Sequence, residues 1–80
     1  MSDIQTSLLK SMCTGLGEGN SNIEALASKI KEDFPEKDKA ELKGEILDEL
    51  KGMVSSGQLQ IITTGWEFGN EFFYICSKKL

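Results

Sequence analysis

The chain has 80 residues, with nine lysines, no arginine, no histidine, 13 acidic residues, two cysteines and a net charge of −4. That length is one small domain, and a hydrophobic share of 39% is enough for a packed core. Without histidine the commonest general base and metal ligand are missing, and without arginine so is the bidentate fork used for phosphate and guanine.

The first helix is expected to start at Ser2, where Ser2 and Gln5 form a capping box. Ile4, Leu8, Leu9, Met12, Cys13 and Leu16 then recur at helical spacing as one stripe. Gly15, Gly17 and Gly19 end it in a loop, with a short third strand expected around residues 18–22. A second capping box runs from Ser21 to Glu24, and Ile23, Leu26, Ala27, Ile30 and Phe34 form the stripe of a helix that Pro35 stops. Asp38 caps a third helix, whose apolar face is Leu42, Ile46, Leu50, Met53 and Val54, with Leu47 at its edge. Gly57 stands where a left-handed residue closes such a helix. Alternation then replaces the helical period from Gln58 to Thr64 and from Phe72 to Cys76, predicting two strands joined by a loop from Gly65 to Asn70.

The order helix, helix, helix, strand, loop, strand resembles a winged helix-turn-helix domain. The likeness is carried by the third helix, glycine turn and first wing strand, Ile46 through Leu50, Met53, Gly57 and Leu59 to Ile61, and by the aromatic strand from Phe72 to Ile75. It spans about residues 3–77 and implies an α+β fold: a three-helix winged helix-turn-helix with a C-terminal two-stranded β-hairpin wing. The short length, Phe34-Pro35 before the third helix and the helix–glycine–wing segment are also faintly similar to the small D protein of dissimilatory sulfite reductase. Winged helices include DNA binders and modules that bind only protein, so the resemblance implies a fold more than a task.

In a DNA-binding winged helix the outer face of the third helix enters the major groove. Here 100° steps put Glu41, Gly44, Glu45, Asp48 and Ser55 opposite the apolar face, with Lys37 and Lys51 beside them. Carboxylates on that face repel a polyanion, so the stripe reads as an ordinary solvated helix face or as an acidic surface that steers a basic partner. The other concentration is aromatic: Trp66, Phe68, Phe72, Phe73 and Tyr74 are five of the six aromatics. Phe72 and Tyr74 point to one face of their strand and Phe73 and Ile75 to the other. Trp66, Phe68 and Tyr74 are the candidate apolar anchors for a partner, the alternative being that Trp66 and Phe68 fold back to close the small core.

No nucleophile has a histidine base, and no cysteine, histidine or carboxylate spacing suits a metal, so neither catalysis nor a cofactor is expected. Gly15 to Gly19 follows a helix and lacks the ending of a phosphate loop. Cys13 and Cys76 read as two half-buried thiols of a reducing compartment, with a disulfide as the alternative. No basic start with an apolar run and no membrane-length apolar stretch is present, and a cytoplasmic location is expected. The reading is a non-catalytic regulator or adaptor that docks on a protein with a basic or apolar surface. DNA-binding transcriptional regulation is the alternative, and a homodimer through the last strand is open.

Overall fold

The computed structural model describes residues 3–77. Its elements are α1 (Asp3–Met12), β1 (Glu18–Ser21), α2 (Ile23–Ile30), α3 (Lys39–Ser56), β2 (Leu59–Ile61), a 3-10 turn (Trp66–Phe68) and β3 (Phe72–Cys76). The architecture is α+β: three helices and one three-stranded antiparallel sheet in the order β1-β3-β2. Among the described residues no helix is long and apolar enough to cross a membrane.

Local chemistry sets the helix ends. Asp38 accepts a hydrogen bond from the Glu41 N–H at 2.8 Å and starts α3. Gly57, at φ 83°, ends it: its N–H donates to Met53 and Val54, and the Gln58 N–H reaches the Met53 carbonyl at 3.0 Å. At α2 the cap is Asn22 rather than Ser21, with the Asn22 side chain accepting from the Ala25 N–H at 2.7 Å. The expected cap at Ser2 lies outside the described residues.

α2 also stops four residues before the predicted Phe34. Pro35 cannot donate to the Lys31 carbonyl, and its ring crowds that same carbonyl. The Phe34 N–H takes the Lys31 carbonyl instead, at 3.1 Å, and the Lys31 ammonium donates to the Lys37 carbonyl at 2.6 Å. Phe34 therefore packs on the core from a turn.

One core joins the three helices to β2 and β3. Ile4, Leu8 and Met12 come from α1, Leu26, Ala27 and Ile30 from α2, and Leu42, Ile46, Leu50 and Met53 from α3. Leu59, Phe72, Tyr74 and Cys76 close it from the sheet. Two stripe positions fall outside it. Leu16 is exposed because α1 has already ended at Met12, and Val54 is exposed because Met53 takes the inward position on the last turn.

The sheet differs from a two-stranded hairpin because β1 adds to the far edge of β3. Glu18 lies opposite Ile75 and Asn20 opposite Phe73. Gly19 lies opposite Tyr74, and a Cβ there would come within 3.4 Å of the tyrosine hydroxyl, so a side chain would crowd the ring. With β1 on one side and β2 on the other, β3 is central. The last strand therefore has no free edge to offer a second copy.

The two cysteines are not thiols. Cys13 and Cys76 form a disulfide across 63 positions, with Cα atoms 5.7 Å apart. They meet because the Cys76 N–H donates to the Gly17 carbonyl, which brings the loop after α1 to the end of β3. Both cysteines are buried.

Candidate functional site

The loop between β2 and β3 is built to turn two aromatics in opposite directions. Gly65 (φ 79°) and Gly69 (φ 92°) bracket the 3-10 turn in left-handed conformations, and the Phe68 N–H closes it on the Gly65 carbonyl at 3.1 Å. Trp66 turns inward, edge-on to Phe72 with ring centres 6.0 Å apart. Phe68 turns outward and is 88% exposed. Tyr74, the third predicted anchor, is 8% exposed and packs edge-on against Phe72 in the core, so its ring belongs to the fold. Burial also raises the Tyr74 pKa above that of an ordinary phenol.

On α3 the three predicted carboxylates keep to the outer side. Glu41 and Asp48 are exposed and Glu45 is half-buried. Lys37 bridges the first pair, 3.0 Å from Glu45 and 3.6 Å from Glu41. The hydrogen bond to Glu45, with the nearby Glu41 charge, raises the Lys37 pKa. The second Glu45 oxygen, Oε2, is buried and has no hydrogen-bond partner among the described residues.

Lys39 and Lys43 reach across to α2 and both bind Glu24. Their hydrogen bonds, Lys39 first, hold the Glu24 carboxyl at about 2, well below its usual 4.5. Lys37, Lys39 and Lys43 are thus already held by carboxylates, while Asp48 and Lys51 on α3 and Glu67 on the turn make no ion pair among the described residues.

Between the turn and the helices lies an open groove of about 320 Å³. Ile23 and Leu47 supply apolar walls from α2 and α3, and Phe68 and Glu67 line it from the turn. Gly44 of α3 lines it without a side chain. The sequence reading found Phe68 but not Ile23, Gly44 or Leu47. Only a glycine in the middle of a helix hinted at an opening there. The 3-10 turn therefore brings Phe68 to α3, while Trp66 and Tyr74 stay with the core.

Among the described residues no three Cys, His, Asp or Glu side chains gather as metal ligands. No family model, no curated protein and no solved structure matches this chain.

Proposed function

We propose that this chain is a winged-helix binding module, a non-catalytic regulator or adaptor that docks on another protein. Three helices, a short strand ahead of α2 and a loop between β2 and β3 standing as the wing support the winged-helix reading. Phe68 carries the docking reading: a large apolar ring held almost wholly in water by a turn with a glycine at each end. Such a ring contributes nothing to the core and is the residue type that anchors interfaces. The exposed carboxylates of α3 and the turn supply steering toward a basic surface.

The Cys13–Cys76 disulfide bears on the compartment. Such bonds persist where the surroundings are oxidising. The cytoplasmic placement expected from the sequence therefore requires a cytosol that keeps Cys13 and Cys76 joined.

The test is capture of partners on immobilised wild type, Phe68→Ala and Asp48→Lys chains with matching circular dichroism. A partner retained by wild type and lost by Phe68→Ala supports docking; identical capture by all three removes the wing from it. A salt-titrated duplex DNA assay is the second arm. Affinity that falls steeply with salt reports phosphate contacts and moves the chain to the DNA-binding regulators.

A further inference from the structure

Gly44 sits at an exposed position in the middle of α3, where glycine weakens a helix relative to alanine. A Cβ at Gly44 would meet nothing within 4 Å, so no close contact requires its absence. What the missing side chain does is leave the groove open between Ile23, Leu47 and Phe68. Resting on the docking reading above, we infer that this groove receives one aliphatic or aromatic side chain of a partner polypeptide, and that lysine or arginine flanks that side chain.

Size and charge choose the occupant. A volume of about 320 Å³ lies at the small end of ligand cavities, which run roughly 300–1,000 Å³. It suits one large side chain with its adjoining backbone. Ile23, Leu47 and Phe68 give it apolar walls, with Glu24, Lys43 and Glu67 also in the lining.

The charges nearest them are unequal. Glu24 is shared by Lys39 and Lys43, so all three are already engaged with one another. Glu67 lines the groove, and Asp48 lies one turn along α3 from Gly44; neither makes an ion pair among the described residues. A cation beside the inserted side chain meets these two carboxylates, while an anion is repelled.

The experiment titrates the nitrogen-labelled full chain with three short blocked peptides: leucine flanked by lysines, leucine flanked by glutamates, and alanine flanked by lysines. The backbone amides of Gly44, Leu47 and Gly69 report the groove. The lysine-flanked leucine peptide is expected to move them with an affinity about tenfold above the alanine peptide. Against the glutamate-flanked peptide the expected margin is about fivefold. Gly44→Leu, whose side chain enters open space and favours the helix, is expected to abolish the response. Asp48→Lys with Glu67→Lys is expected to reverse the charge preference.

Equal affinity for leucine and alanine peptides, unchanged binding by Gly44→Leu, or shifts gathered at Ile62, Phe73 and Ile75 on the outer sheet face overturn the assignment. So does equal or stronger binding of the glutamate-flanked peptide. A silent groove together with partner capture lost in Phe68→Ala sinks only this inference. Capture unaffected by Phe68→Ala sinks the docking reading itself.

Discussion

Cys13, one residue past the end of α1, is bonded to Cys76, the last residue of the central strand. The bond closes a loop of 63 positions, and cross-linking that much chain removes entropy from the unfolded state. On the chain-entropy account this stabilises the fold by about 4 kcal/mol. A core of this size supplies on the order of 3–5 kcal/mol. Reduction with a dithiol is therefore expected to lower the melting temperature by about 15–30 °C. Unreduced protein is expected to show no titratable thiol under denaturing conditions. Two titratable thiols there, with a melt insensitive to reductant, would remove the bond from the account.

Trp66 and Phe68 separate stability from the proposed docking. Trp66 packs on Phe72 and the core margin, whereas Phe68 contributes little buried area. Trp66→Ala is expected to destabilise by about 2–4 kcal/mol. Phe68→Ala is expected to stay within about 0.5 kcal/mol of wild type. Urea midpoints measure both. A large loss in Phe68→Ala means that the ring supports the fold and is no free anchor.

The glycines predict opposite signs. Gly44 and Gly52 lie inside α3 with open space where a Cβ would stand. Alanine at either is expected to stabilise by about 0.5–1 kcal/mol. Gly65 has φ 79°, and a Cβ there would lie 2.8 Å from the Asn70 side-chain nitrogen. Gly65→Ala is expected to cost about 1–2 kcal/mol. Thermal melts of the three variants check the set, and a stabilising Gly65→Ala would contradict the turn.

Acid and alkali act on different ion pairs. Glu24 has a carboxyl held at about 2 against a usual 4.5. A depressed carboxyl stabilises fully above its ordinary value and loses that contribution as pH falls toward the folded value. Stability is therefore expected to decline from about pH 4.5 down to about 2, less steeply in Glu24→Gln. Lys37 is raised by Glu45, so its contribution is complete below the usual 10.5 and fades as pH rises through the raised value. Buried Tyr74 acts in the same alkaline direction. Urea midpoints across pH read these slopes, and a Glu24→Gln profile matching wild type in acid would dissolve the Glu24–Lys39–Lys43 cluster. Both clusters lie at the surface and are at most half-buried, so the effects are modest.

The helices were legible because their causes are local. The Asp38 cap, the Gly57 stop and the Leu42-Ile46-Leu50-Met53 stripe act within a few residues of one another. The in–out alternation of Phe72 to Cys76 was legible for the same reason. The end of α2 was missed because proline acts on the carbonyl four residues upstream as well as on its neighbour.

By itself, then, the sequence determined three helices, a β-rich end, an acidic outer side of α3 and a cluster of aromatics. Tertiary structure alone decided that β1 pairs with β3, that Cys13 meets Cys76, that Trp66 turns in while Phe68 turns out, and that Gly44 opens a groove beside Phe68. Hydrophobic period and capping report which face of an element is buried. They carry nothing about which distant element covers it, since that choice is made by long-range contacts formed only when the whole chain closes on its core.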